Sequence, residues 1–327
     1  MSTAIVIVNY RTADLTIQCL RSLVPDAGGK DGVRVFVVDN ASGDGSVQRI
    51  SEAIVQEAWG DWVQILPLQS NRGYAAGNNA GIQAALAGGQ TPDYVLLLNP
   101  DTVVRPGAVQ ALAGFMDCHA AVGIAGSRLE DPDGTAQCSA HTRPSPLGEL
   151  VGTAKVGPLT RALARYCVSP RVRGVGHPCD WVSGASLIIR TPALARIGLL
   201  DEGFFLYYEE VDLCLRARRA GWEVWYVPAA IVVHLEGAAT GISAKGKRRA
   251  GYWYASRRRF FAKHYGIAGL LRADLMWVLG RIIYSVRHLG GLDAAVAADP
   301  KWFAWDLLWG DAIAIATGRT IFGGKGN

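Results

Sequence analysis

Four short apolar runs, each broken off by polar residues and followed by a helix-like segment, constrain this chain more than any other feature of its sequence. Ala4 to Val8 stops at Asn9-Tyr10-Arg11 and Val33 to Val38 at Asp39-Asn40, while Val63 to Leu66 runs toward Asn71-Arg72-Gly73 and Tyr94 to Leu98 ends at Asn99-Pro100-Asp101. Continuous apolar runs of this length suit strands buried on both faces, and strands alternating with helices build a parallel sheet flanked by helices. In such a sheet the polar loops gather at the C-terminal edge, where ligands bind. The predicted class is therefore α/β.

Further along, the pattern predicts a helix from about Pro106 to Met116, a strand over Val122 to Ala125, and a strand-like stretch from Trp181 to Arg190. Residues 131–179 are richer in Gly, Pro and Arg and read as a loop or lid. Leu206 to Ala220 reads as a helix ended by Gly221, and Glu223 to Val227 and Ile231 to Val233 as two strands, the second ending on His234. From Leu271 a helix is expected with Leu275, Val278, Leu279, Ile282, Ile283, Val286 and Leu289 on one face. Asp274, Arg281 and His288 fall opposite, with Trp277 and Tyr284 toward that polar side. Two regions result, an α/β domain over 1–265 and an amphipathic helical appendage over 266–327.

Composition narrows the function. Half of the 327 residues are hydrophobic and 19% are charged, which excludes a disordered chain. Ala4 to Val8 is too short for the apolar part of a secretory signal, and no run of about eighteen uncharged apolar residues suits a spanning helix. Six scattered cysteines without a Cys-x-x-Cys pair read as reduced structural thiols. The net charge of +5 is unevenly placed: Lys245, Lys247, Arg248, Arg249, Arg257, Arg258, Arg259 and Lys263 lie between Thr240 and Tyr265 with no acid among them. The lipid phosphates of a membrane explain that tract as well as nucleic acid does, and no nucleic-acid partner is expected.

The strand-end loops collect Asn9, Tyr10, Arg11, Asp39, Asn40, Asp44, Arg72, Gly73 and Asn99 around one cleft. A carboxylate such as Asp39 can accept hydrogen bonds from a base or ribose, and Arg72 can reach a diphosphate. Asp101 is a candidate metal ligand, with His234 able to complete the site. The acids Glu209, Glu210 and Asp212 open a helix, where they serve its dipole, or one of them deprotonates a hydroxyl. The absence of Gly-x-Gly-x-x-Gly after the first strand removes the main signature of a dinucleotide oxidoreductase.

Taken in order, Ile7 to Arg11, Val37 to Gly45, Asn71 to Asn79, Leu97 to Asp101, Trp181 to Ala185 and Phe205 to Leu213 closely resemble family 2 glycosyltransferases of the GT-A fold. The likeness is greatest to the rhamnosyltransferases of bacterial polysaccharide synthesis. It implies a GT-A nucleotide-binding domain with a mostly parallel sheet, Asp39 and the Tyr10 region holding the nucleotide, and Asp101 in the metal motif with His234 as a further ligand. It also implies a catalytic base in the Glu209-Glu210 pair, position favouring Glu210, and an acceptor side built from Trp181, Ser183, Gly184 and Asp212. Asn99 stands where the motif often has a first aspartate, and Glu210 where it often reads Asp.

The implied reaction is an inverting transfer, dependent on Mg2+ or Mn2+, from a dTDP- or UDP-linked sugar to a saccharide hydroxyl. L-Rhamnose is the first choice of donor sugar, and a UDP-hexose or galactofuranose donor is the alternative. The acceptor would be carried on a polyprenyl diphosphate, placing the enzyme in the cytoplasm at the inner face of the plasma membrane. The C-terminal segment then meets either an anionic membrane surface or a second subunit in a homodimer. A nucleotide-binding scaffold with a weakened site is the reading from another class.

Overall fold

The computed structural model describes residues 2–29, 31–235, 248–289 and 300–318. The chain begins β1 (Thr3–Asn9), α1 (Ala13–Ala27), β2 (Val33–Asp39), α2 (Ser46–Gln56), β3 (Val63–Pro67), α3 (Tyr74–Ala87) and β4 (Tyr94–Leu98), the alternation the apolar runs predict. It continues through β5 (Thr102–Val104), α4 (Ala108–Cys118), β6 (Val122–Glu130), β7 (Ala140–His141), α5 (Pro146–Ala154) and α6 (Gly157–Ala162). Then come β8 (His177–Pro178), β9 (Trp181–Val182), β10 (Ser186–Arg190), α7 (Thr191–Ile197), α8 (Glu209–Arg219) and β11 (Glu223–His234). Two helices close the described chain, α9 (Gly251–Leu289) and α10 (Phe303–Thr317).

These elements form two compact units. The first comprises residues 1–141, 171–202 and 209–241, and the second 142–170, 203–208 and 242–327. The main sheet lies in the first, in the order β3-β2-β1-β4-β10-β6-β11-β5, with β8 beside β11. It is mixed: β3, β2, β1 and β4 run parallel, β6 and β11 run parallel, and β10 lies antiparallel between β4 and β6. Alternate residues of the central strands serve opposite faces. Ile5, Ile7, Leu96 and Leu98 join the core under α1 and α4, and Val6, Val8, Val95 and Leu97 that on the other face.

Glycines set the depth of one helix. A Cβ on Gly77 would sit 2.8 Å from Val8 Cγ1, and one on Gly81 would overlap Val6 Cγ1, so these residues let α3 close on β1.

Other segments depart from expectation for local reasons. Residues 131–179 hold α5, α6 and the short β7 and β8 as well as loops. Trp181 to Arg190 is two strands separated by Ser183-Gly184-Ala185. The helix expected from Leu206 starts at Glu209, because Tyr207 and Tyr208 take left-handed conformations (φ 73° and 71°) that an α-helix cannot include. The two strands expected around Pro228 are one, β11, whose register shifts between Val227 and Ile231, as expected where a proline cannot donate to the ladder.

In the second unit α9 starts at Gly251, well before Leu271, and is broken at Gly266 (φ 71°, ψ 177°). On its second arm Leu270, Ala273, Trp277 and Tyr284 are buried, while Leu271 and, from the expected apolar stripe, Leu275, Ile282 and Val286 are exposed. Arg257 on the first arm explains this. It is 1% exposed and donates to Asp274 Oδ1 (2.8 Å), with Glu149 and Asp311 carboxylates at 3.4 Å. A buried guanidinium needs those carboxylates around it, which draws the polar side of the second arm inward. Lys245 and Lys247 of the basic tract, and the side chains of His288 and Leu289, lie outside the described residues. Among the described residues no helix is long and apolar enough to cross a membrane.

Two glycines give opposite expected outcomes in thermal melts. Gly81→Ala overpacks the α3–β1 contact and lowers stability by about 1–2 kcal/mol. Gly114→Ala, in α4 with nothing within 4 Å of the added carbon, raises it by about 0.5–1 kcal/mol.

Candidate active site at the edge of the sheet

The parallel register fixes the first group of side chains. Asn9 and Asp39 end β1 and β2 side by side. Asn9 Nδ2 donates to Asp39 Oδ1 (2.7 Å), and Ser42 donates to the same carboxylate from its hydroxyl (2.5 Å) and its N–H (3.0 Å). Asn9 Oδ1 accepts from Thr12 and Thr16, tying the strand end to α1. Arg11, left-handed at φ 59°, donates to Ser42 from its backbone N–H and Nε, and its guanidinium lies 5.1 Å from the Tyr10 ring centroid. Asn40 donates to Asn71 Oδ1 and Gly73 O, both at 3.0 Å, and its own Oδ1 is buried with no hydrogen-bond partner.

Two candidates here have local roles. Asp44 accepts from the N–H and hydroxyl of Ser46 at the start of α2, and the hydroxyl bond holds its carboxyl below the usual range. Arg72 pairs with Glu202 (2.5 Å), which also accepts from Asn79. Gly73, at φ 93°, precedes α3.

A second group forms where β4 ends. Because β10 runs antiparallel to β4, Asn99 N–H donates to Ala185 O (2.9 Å) and the 183–185 loop lies beside Asn99. Tyr74 joins them: its hydroxyl donates to Asn99 Oδ1 (2.7 Å) and lies 3.2 Å from Gly184 O. On Gly184, in turn, packs the side chain of Glu210, whose Cβ and Cγ are 3.5 Å from where a glycine Cβ would stand. β11 pairs antiparallel with β5, setting His234 opposite Thr102, so His234 Nε2 reaches Asp101 Oδ1 at 3.5 Å. Asn99, Asp101, Gly184, Glu210 and His234 are thus gathered at one end of the sheet, as their order in the sequence does not reveal.

Glu209 is buried, and one carboxyl oxygen of each of Glu209 and Glu210 is buried with no hydrogen-bond partner. Burial drives both pKa values up, Glu210 to about 7, and Glu210 raises Glu209 further by like charge. Burial also pushes the Tyr74 hydroxyl up, and the nearby Glu209, Glu210 and Asp101 add to that shift, so Tyr74 remains a neutral donor.

The remaining candidates lie on the same unit. Trp181 stacks on His141 (centroids 4.0 Å apart, 13° between planes). Ser183 donates its N–H to Ser139 O and accepts from Ala185 N–H. Asp212, fully buried, pairs with Arg216 (2.8 Å), which also donates to Ile197 O and Leu199 O and so fastens α8 to the end of α7. Tyr74 and Ser42 are absent from the candidates drawn from the sequence. Both stand inside its quoted motifs, and only the fold shows what they hold.

For a divalent cation the protein offers one carboxylate and one imidazole, since Asn99 Oδ1 is engaged by Tyr74. Among the described residues no three His, Cys, Asp or Glu side chains converge. Two donors fit an oxygen-seeking cation whose other positions are filled by a diphosphate and water.

Residues 4–172 match the family described as Glycosyl transferase family 2. The N-acetylglucosaminyl-diphospho-decaprenol L-rhamnosyltransferase of Mycobacterium tuberculosis is 34% identical over 269 residues, covering 79% of this chain and 83% of that protein. Two solved structures share the fold. GalNAc-T7 with UDP, GalNAc and Mn2+ has a TM-score of 0.58 at 13% identity, over 97% of this chain and 57% of that one. The mannosyltransferase PcManGT from Pyrobaculum calidifontis, with GDP-Man and Mn2+, has a TM-score of 0.54 at 14% identity, over 98% and 83%. The chain belongs to glycosyl transferase family 2 and is a glycosyltransferase.

Glu210, half-buried with one carboxyl oxygen fully buried, makes stability pH-dependent. Between the ordinary carboxyl value of 4.5 and about 7 the folded protein keeps a proton that the unfolded chain has lost, so stability from the neutral carboxyl is full below that window and lost as pH rises through it. Glu210→Gln removes this loss. The variant gains on the order of 1–3 kcal/mol relative to the parent between about pH 5 and about pH 8, measured by denaturant melts. Equal differences at both pH values would mean the carboxyl is not desolvated.

Proposed function

We propose that this chain transfers a hexosyl group, L-rhamnose from dTDP-L-rhamnose as first choice, to a hydroxyl of a saccharide carried on a polyprenyl diphosphate. The transfer inverts the anomeric carbon and serves cell-surface polysaccharide synthesis, at the cytoplasmic face of the membrane. The name of the mycobacterial relative supports both substrate classes.

One observation carries the chemistry: the Glu210 side chain packs against Gly184 with one carboxyl oxygen buried and lacking any hydrogen-bond partner, and burial pushes its pKa up to about 7. As a carboxylate it takes the proton of the acceptor hydroxyl while that oxygen attacks the anomeric carbon and the bond from that carbon to the diphosphate oxygen breaks. A base with this pKa is half ionised near neutrality and keeps the proton once it has it. Glu209, held protonated more firmly by its neighbour, leaves the role to Glu210.

Asp39 and Asn40, fixed by Asn9, Ser42 and Asn71, take the base and ribose, with Tyr10 and Arg11 beside them. Arg72 exchanges Glu202 for the donor's diphosphate. Asp101 and His234 would hold Mg2+ or Mn2+, which when bound supplies positive charge against the leaving diphosphate. Tyr74 fixes Asn99 and the Gly184 loop, so the proton acceptor and the cation ligands keep their spacing. Trp181 offers an aromatic face to the acceptor sugar, Ser183 and Gly184 line its path, and Asp212 holds α8 through Arg216.

Glu210→Gln should bind dTDP-rhamnose within about twofold of the parent by calorimetry and lose transfer by roughly 10³-fold. EDTA should remove the parent's activity, and Mg2+ or Mn2+ restore it. Turnover retained by the variant would dismiss Glu210 as base, activity indifferent to EDTA would dismiss the cation, and preference for a UDP-hexose would replace the donor.

A further inference from the structure

The second unit hides charge and displays apolar surface. On the second arm of α9, Leu271 is 53% exposed, Leu275 54%, Ile282 53% and Val286 64%. At and along α10, Trp302 is 68% exposed, Trp305 56% and Trp309 53%, and the last two stack with centroids 5.4 Å apart. Single exposed apolar residues are ordinary, but rows of them on two helices of one compact unit mark a surface that meets something.

Charge decides what that partner is. The described residues of this unit carry fourteen lysines and arginines against four acids. All four acids are already engaged by arginines: Glu149, Asp274 and Asp311 by Arg257, Asp311 also by Arg258, and Asp306 by Arg248. Arg272 stands among the outward leucines and Lys301 beside Trp302, both exposed. A second copy on this face would bring Arg272 and Lys301 of each copy together, and the described acids of the unit are already engaged by its arginines. An anionic bilayer instead takes the cations at its phosphates, the indoles at headgroup level and the aliphatic row below. The arm after Gly266, roughly 34 Å long at 1.5 Å per residue, suits a helix lying in that plane.

We propose that the outer face of α9 from Leu271 to Val286, with Trp302, Trp305 and Trp309, is a docking surface for anionic phospholipid. It rests on the packing of this unit and holds whichever sugar the first unit transfers, although it would keep the enzyme where a lipid-borne acceptor is found.

The test is co-sedimentation of the full chain with vesicles of phosphatidylglycerol and phosphatidylcholine, against vesicles of phosphatidylcholine alone, at low and high salt. The parent should bind the anionic vesicles at least about tenfold more tightly, and less so in high salt. Leu275→Ser with Ile282→Ser, and Trp305→Ser with Trp309→Ser, should each weaken binding at least about tenfold with an unchanged far-ultraviolet spectrum. The Arg272→Glu and Lys301→Glu pair should lose the preference for anionic lipid. Transfer to a soluble acceptor analogue should stay at the parent's rate in all three, which separates this surface from the transfer reaction. Equal vesicle binding by parent and apolar variants overturns the proposal, as does a dimer in light scattering that the apolar variants dissociate while the parent ignores vesicles.

Discussion

The site depends on one pairing, that of β10 with β4 in antiparallel register. A strand arriving in the opposite direction brings its preceding loop, Ser183-Gly184-Ala185, to the C-terminal end of β4, where Asn99 N–H bonds to Ala185 O. Tyr74 then spans from α3 to both strands' ends, and Gly184, without a side chain, leaves room for Glu210. Had β10 run parallel, that loop would lie at the far edge and the acids of α8 would have no floor. In the proposed function the ends of the parallel strands β1 and β2 serve the nucleotide and the loop before the reversed β10 serves the acceptor.

Buried charges are handled in two ways, and the contrast singles out Glu209 and Glu210. Asp39 is surrounded by donors, Asp212 has Arg216, and Arg257 has three carboxylates. Each is a compensated charge that holds elements together. Glu209 and Glu210 are desolvated side by side, each with an oxygen that nothing satisfies, and burial moves Glu210 toward neutrality. Uncompensated burial of that kind is costly to stability and is what a proton acceptor needs. The same logic in the second unit has an outward effect, since feeding Arg257 with Asp274 and Asp311 turns the apolar side of α9 toward the surroundings.

Much of this was legible in the residues. The four runs gave the first four strands to within about a residue at each end: β1 and β4 are buried along their whole length, which leaves little freedom in composition, while the edge strand β3 is only partly buried. The strand-end polar residues and the Glu209-Glu210 pair were visible as candidates for the same reason, since they interrupt apolar segments. What stayed hidden depends on pairings distant in sequence. Nothing local tells that β10 inserts beside β4, that His234 faces Thr102, or that Arg72 is met by Glu202. The helix after Gly266 shows the limit most sharply: its apolar stripe was legible, but that Arg257 draws Asp274 inward and leaves the stripe exposed was not.

Glu210 is desolvated enough to exchange a proton near neutrality, and infrared difference titration of the carboxyl stretch, parent minus Glu210→Gln, with uniformly carbon-13-labelled glutamate reads that proton. The expected result is a protonated band that disappears with a midpoint near pH 7 and is missing from the variant. A Glu210 band already ionised with a midpoint near 4.5, the ordinary carboxyl value, would contradict it.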